Sequence, residues 1–153
     1  MLRRILNPNF LPTNSVDAQL LVLRVGIGGT LFLKHGWEKV SQLSLVNPNF
    51  ADPLHIGTTP SWIFATLADG VCSLLIVLGF GTRWLSALCF FNIFVAWALV
   101  HHFVFFGKSP GAGHGELIVQ YLVVFMALLI GGSGRYSVDG LLTKQCVSAV
   151  GAN

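Results

Sequence analysis

Four long apolar runs alternate with short polar or glycine-rich connections along the chain. The runs cover residues 18–40, 62–79, 84–106 and 117–131. Each is close to the roughly 20 residues with which an α-helix crosses the hydrocarbon core of a bilayer. Pro60 precedes the second run and Gly131 closes the fourth, as expected of residues that do not readily continue a helix. The pattern predicts an all-α fold, an integral membrane four-helix bundle.

The predicted bundle divides the chain into three parts. Residues 18–140 form the membrane domain, residues 1–17 a segment before it, and residues 141–153 a tail. The longest connection, residues 41–61, joins the first two helices and is either a lid or a plain connector. With four spans, both termini lie on the same side of the membrane.

The composition agrees with a membrane protein. Hydrophobic residues make up 54% of the chain and charged residues only 10%, whereas soluble proteins carry about 25% charged residues. So few charges cannot cover a surface exposed to water. A disordered chain, a disulfide scaffold and a nucleic-acid-binding arm are therefore excluded, because each needs high net charge or dense cysteine. The lipid bilayer is the expected partner, and nucleic acid is not.

The basic residues indicate the orientation of the bundle, because cytoplasmic loops of membrane proteins are enriched in Lys and Arg. The side that holds the termini has five, namely Arg3, Arg4, Arg83, Arg135 and Lys144. The opposite side has three, namely Lys34, Lys39 and Lys108. We therefore expect a multi-pass protein of the bacterial inner membrane with both termini in the cytoplasm.

Ionisable side chains inside the predicted helices are the best candidates for function. Each costs about 2.5–3.5 kcal/mol at the centre of a membrane helix. Most of them fall in the outer half of the bundle, so that every helix contributes to one polar layer. The candidates for a ligand or proton site are Arg24, His35, Lys39, Asp69, His102 and Glu116.

Helical phase predicts which of these side chains point inward. On the first helix, one stripe holds Arg24, Gly28, Leu31, His35 and either Glu38 or Lys39. On the second helix, the inward face holds Thr66, Asp69, Ser73 and Ile76. On the fourth, it holds Glu116, Gln120, Val123 and Ala127. On the third helix, His102 is the histidine closer in phase to Asn92.

Two interpretations of the polar layer remain open. Buried polar groups can pair with one another and hold helices in register. Alternatively, a carboxylate, imidazoles and a lysine around one cavity can bind a quinone head group or transfer protons. In both cases Asp69 needs a cation or a proton. No His-x-x-x-His or Glu-x-x-His spacing supports a metal site, and none is assigned.

The order of motifs along the chain resembles that of the DoxX family. The motifs are Leu23-Arg24-Val25 with Phe32 to Lys39, then Asp69-Gly70 with Leu78 to Arg83, then Glu116 with Gly131 to Asp139. The resemblance implies a small four-helix membrane protein in a family named after a subunit of a thiosulfate:quinone oxidoreductase. The paired cysteines of disulfide-handling branches are absent here.

Two functions follow from these patterns as expectations. The first is a subunit of a quinone-linked redox system, with its ligand or proton site in the outer polar layer. The second is a non-catalytic accessory subunit that stabilises a larger membrane complex. The expected protein partner is such a complex or a homo-oligomer, and whether the chain is itself an enzyme stays open.

Overall fold

The computed structural model describes residues 14–42, 50–105 and 115–150 of the chain, and these ranges contain helices and turns but no strand. The helices are α1 (Ser15–Ser41), α2 (Thr58–Leu78), α3 (Thr82–Val100), α4 (Gly115–Gly131) and α5 (Val138–Val150). The first three are long and apolar enough to cross a membrane, and α4 is a shorter apolar helix of 17 residues. The prediction of an all-α membrane bundle is confirmed.

The helix boundaries differ from the sequence pattern most clearly at three places. Helix α2 begins at Thr58 because the Asp52 carboxylate accepts hydrogen bonds from the Gly57 N–H at 2.8 Å and the Ser61 hydroxyl at 2.8 Å, which hold the loop against the first turn. Helix α3 ends at Val100 rather than at residue 106. The predicted tail from residue 141 is largely helical, since α5 extends to Val150.

Helices α1 to α4 run antiparallel to their neighbours, as contacts between them show; for α4, Gly131 at its end lies against Leu20 near the start of α1. At one end, the Arg24 side chain of α1 bonds the carbonyl of Val77 near the end of α2, and Asp139 bonds the N–H of Thr82 at the start of α3. We call this the terminal end. We call the other end, where the loop before α2 lies, the loop end. Asn92 of α3 bonds Asp69 of α2 near the middle of both helices.

The core lies between the four long helices and is built mainly from apolar side chains. Its buried members are Leu31, Cys72, Ile76, Cys89, Phe125 and Leu128. Helices α1 and α2 approach most closely through glycine. A Cβ added at Gly36 would lie 2.9 Å from the Gly70 Cα and clash with the Asp69 carbonyl. The absence of a side chain at Gly36 therefore allows the two backbones to touch beside Asp69.

The outside of the bundle exposes large apolar side chains along its whole length. Val22 and Leu33 on α1, Val123 and Ile130 on α4 are each more than half exposed. Because Val22 and Leu33 belong to an apolar helix of spanning length, and Val123 and Ile130 to the shorter apolar helix beside it, the surface that they form contacts the lipid bilayer.

Candidate functional site

Asp69 is the centre of a polar cluster near the middle of the bundle. Its carboxylate forms an ion pair with Lys39 of α1 and accepts a hydrogen bond of 2.9 Å from the Asn92 amide of α3. The Asp69 side chain is only 7% exposed and that of Lys39 only 17%. Three helices therefore meet at one buried carboxylate that has both a cation and a neutral donor.

The backbone of α2 is locally altered around Asp69. Residues Leu67–Cys72 form a π-helical turn, in which hydrogen bonds reach one residue further than in an α-helix. The Ser73 hydroxyl lies close to the Asp69 carbonyl and is 2.8 Å from that of Gly70, so it satisfies backbone acceptors in the wider turn. Turns of this kind often occur at functional sites.

Two aromatic rings cover the cluster on the side of the loop. The Lys39 ammonium lies 5.9 Å from the centre of the Phe50 ring, which is a cation–π contact. Phe50 in turn packs edge-to-face on Trp62, with ring centres 5.1 Å apart. Trp62 is only 5% exposed, and its indole nitrogen is buried without a hydrogen-bond partner among the described residues. The cluster thus has an aromatic wall on the side of the loop.

The inward face predicted for α2 is confirmed. Thr66, Asp69, Ser73 and Ile76 are all buried. The prediction succeeds because Thr66, Asp69 and Ser73 are polar. Leu67, Val71 and Leu74, on the other side of the helix, are apolar and exposed.

The phase predicted for His35 is wrong. His35 is exposed, and Gly36 takes the buried position on α1 instead. The reason is a π-helical turn at Phe32–Gly36, which adds a residue to the turn and rotates the following positions. His35 nevertheless lies close enough to Asp69 for their charges to interact, so it stands at the edge of the cluster.

Arg24 lies at the terminal end, away from the Asp69 cluster. It is fully buried, and its guanidinium donates to the carbonyls of Val77 at 3.2 Å and Tyr136 at 2.6 Å. Carbonyls at the end of a helix lack partners within it, and a nearby cation complements the helix dipole. Arg24 thus holds together α1, α2 and the segment before α5.

His102 and Glu116 lie on the surface of the bundle. His102 follows the end of α3 in a left-handed turn, with φ of 46°, so helical phase does not apply to it. Glu116 and Gln120 are exposed on α4, whose buried side chains are Leu122, Phe125 and Leu128. The inward face predicted for α4 is wrong, because its large apolar side chains pack into the core.

Two aspartates that the sequence analysis did not select organise the terminal end. Asp139 accepts hydrogen bonds from the N–H groups of Gly81 at 3.0 Å and Thr82 at 3.4 Å, at the start of α3. Asp17 accepts one from the N–H of Arg135 at 2.8 Å. Both aspartates stand in a Ser-Val-Asp triplet, at residues 15–17 and 137–139, but this repeat alone does not identify either of them.

No three His, Cys, Asp or Glu side chains within residues 14–42, 50–105 and 115–150 come together as metal ligands would. Cys72 and Cys89 are both buried as free thiols, and Cys89 lies 3.3 Å from the Ala68 carbonyl. What the Asp69 cluster brings together is a carboxylate, an ammonium group, an amide and aromatic rings. These groups can donate and accept hydrogen bonds.

Comparison with protein families gives one match. The model of the DoxX family matches residues 19–102, which is more than half of the chain. The chain belongs to the DoxX family. The DoxX match includes Arg24, His35, Lys39, Asp69 and His102, and it ends before Glu116. No curated protein and no solved structure matches the chain.

Proposed function

We propose that this DoxX protein is a membrane subunit of a quinone-linked redox system, and that the Lys39–Asp69–Asn92 cluster is its quinone and proton site. The observation that carries the proposal is the buried ion pair of Lys39 and Asp69. A carboxylate and an ammonium group within a membrane helix bundle are costly, and such groups commonly mark ligand sites and proton relays.

The residues around the pair suit a quinone head group, which is a flat ring with carbonyl oxygens that accept hydrogen bonds. Lys39 and the free indole N–H of Trp62 are donors for these oxygens. The rings of Phe50 and Trp62, which lie edge-to-face, offer an apolar wall. A bound quinone supplies electron uptake coupled to protonation of its oxygens, with the electrons coming from a separate redox subunit.

The chain's own contribution is to orient the ring and to supply protons. Lys39 would hold one ring oxygen by a hydrogen bond and would be the proton donor for that oxygen. Asp69 stabilises the lysine as a cation beforehand, and Asn92 keeps the carboxylate oriented by its amide hydrogen bond. His35, exposed at the edge of the cluster, returns a proton from water to the pair.

A quinone titration on the purified protein in mild detergent tests this function. We expect a short-tailed quinone to bind the parent protein, and Asp69→Asn and Lys39→Met to weaken binding by about tenfold or more, since each removes a charge-assisted interaction. Glu116→Gln is the matched control, because it neutralises a carboxylate that is exposed on α4. Lack of quinone binding by the parent, or equal loss in the control, would reject the proposal.

A second candidate function is supported by a different observation. Glu116 and Gln120 are polar residues on the exposed face of an apolar helix, and polar groups are costly against lipid. A protein neighbour that covers this face fits the role of an accessory subunit, bound to a larger membrane complex or to a second copy of this chain. A photo-crosslinker at Gln120 that captures a partner, together with unchanged quinone-linked turnover in Asp69→Asn membranes, favours this function.

We further propose that the protein lies in the bacterial inner membrane with its terminal end in the cytoplasm. Arg83, Arg135 and Lys144 lie at this end, whereas the loop end holds Lys34 and Lys39, and the positive-inside rule assigns the richer end to the cytoplasm. Labelling of Ala51→Cys, which is exposed in the loop, should occur from the periplasm. Labelling from the cytoplasm alone would reverse the orientation.

A further inference from the structure

A cleft of about 680 Å³ opens at the terminal end of the bundle. It lies between the first turn of α1, the turn after α4 and the first half of α5. Its charged lining residues are Asp17, Asp139, Arg135 and Lys144. The other lining residues are Ser133, Gly134, Gly140 and Thr143. Two carboxylates and two cations thus face one cavity, whose formal charge is zero.

The cleft lies at the ends of membrane helices. Asp17 stands at the start of a spanning helix, and Ser133 follows the end of α4 at Gly131. The ends of spanning helices lie at the level of the lipid head groups. Beside the cleft, Tyr136, Leu141 and Leu142 expose about half of their surface, as amphipathic interfacial segments do when they contact acyl chains.

The charged groups of the cleft are only partly used inside the protein. The Arg135 side chain is 68% exposed, and its Nε lies 3.7 Å from the Asp17 carboxylate. Asp17 accepts one backbone hydrogen bond and Asp139 accepts two, which leaves acceptor positions on both carboxylates. The cleft therefore offers donors for an anionic group and acceptors for a cationic one, a short distance apart.

We propose that this cleft binds the head group of a zwitterionic phospholipid with a primary amine, such as phosphatidylethanolamine. Arg135 and Lys144 bind the phosphate, for which a guanidinium fork and an ammonium group are suitable donors. The Asp17 and Asp139 carboxylates accept hydrogen bonds from the ammonium group of the lipid. A choline head group has no N–H to donate, and a glycerol head group brings no cation for the carboxylates.

Native mass spectrometry with lipids of identical acyl chains tests this site. Titration of the detergent-solubilised protein should give a dissociation constant for phosphatidylethanolamine about tenfold lower than for phosphatidylcholine or phosphatidylglycerol, the effect of one to two charge-assisted hydrogen bonds. Lys144→Gln combined with Asp17→Asn should remove this preference. Both positions lie at the terminal end of the bundle. The asparagine at position 17 retains an oxygen that can accept the hydrogen bond from the Arg135 backbone N–H.

Arg83→Gln is the matched control, because Arg83 is an exposed cation of the same end that does not line the cleft. It should leave all three affinities unchanged. Equal affinity for the three lipids, or a preference that survives the double substitution, would overturn the proposal in favour of plain annular lipid. Tighter binding of phosphatidylglycerol would overturn it too, because the cations alone would then govern binding.

Discussion

Lys39 of α1 and Asp69 of α2 form a buried ion pair across the contact between the two helices, although 30 residues separate them in the chain. The pair depends on the close approach of the two backbones at Gly36 and Gly70. The pair is part of the contact between α1 and α2 and also part of the proposed site. Substitutions of either residue therefore test both the stability of the bundle and the proposed function.

Breaking the pair from one side should destabilise the protein strongly. Asp69→Leu leaves the Lys39 ammonium buried without its partner, and Lys39→Met does the same to the carboxylate, so each should cost about 3–5 kcal/mol of unfolding free energy. The double substitution should cost clearly less than the sum of the two. Denaturation in detergent measures all three variants, with Lys34→Met, an exposed lysine of α1, as the control. Additive losses would mean that the two side chains do not interact.

The close contact of α1 and α2 should tolerate no side chain at Gly36. Gly36→Ala should destabilise the bundle by about 1–3 kcal/mol, since the added Cβ meets backbone atoms that cannot move aside. Gly26→Ala, on the same helix with nothing within 4 Å of its added Cβ, should be neutral or slightly stabilising. A thermal melt of both variants makes the comparison. If Gly36→Ala and Gly26→Ala have the same melting temperature, helices α1 and α2 are further apart than described.

Arg24 should affect stability and not ligand binding. Arg24→Met leaves carbonyls of α2 and the Tyr136 carbonyl without their buried donor, which should cost about 3 kcal/mol or more. Arg24→Lys should recover little of this, because an ammonium group cannot reproduce the guanidinium fork.

Arg24 and Asp69 variants should differ in the quinone affinity of the protein that remains folded. Arg24→Lys that remains folded should bind quinone with the parent's affinity, because Arg24 contacts the Val77 and Tyr136 carbonyls at the terminal end and not the Asp69 cluster. A loss of quinone affinity at unchanged stability would place Arg24 in the site after all.

Much of the fold follows from the sequence because four apolar runs have few alternatives to a membrane bundle. The same pattern located Asp69 correctly, since the inward face of α2 is marked by Thr66 and Ser73 as well. Helical phase failed at His35 because a π-helical turn is not visible in hydrophobic periodicity. It failed at Glu116 because α4 is apolar on every side, so one polar stripe does not identify the buried face.

The terminal end was less predictable. Asp17 and Asp139 bind backbone N–H groups that are distant in the chain, and such contacts leave no periodic signal. The repeated Ser-Val-Asp triplet indicates them only once their positions in space are known.

The loop before α2 should make stability depend on acidity. Burial tends to raise the pKa of Asp52, but hydrogen bonds from Ser61 and from the backbone N–H groups of Gly57 and Ile56 outweigh it, so the pKa is lowered. A carboxylate whose pKa is lowered by folding stabilises the folded state at pH values above its pKa in the unfolded chain, which is about 3.9. This contribution is lost as the pH falls through the pKa of the folded state.

The matching variant is Asp52→Asn, which keeps one acceptor oxygen but does not titrate. Its melting temperature should be lower than the parent's near neutral pH, and the difference should shrink as the pH falls below about 4. A difference that stays constant across this range would show that the Asp52 charge does not contribute.

The most direct test of the proposed quinone and proton site is infrared difference spectroscopy of the purified protein with a bound short-tailed quinone, as the quinone is reduced electrochemically. We predict a carboxyl band that is present in the parent protein and in Glu116→Gln but absent in Asp69→Asn, because the surroundings of Asp69 change when Lys39 gives up its proton. Identical difference spectra for the parent protein and Asp69→Asn would contradict the proposal that this ion pair exchanges protons with a quinone.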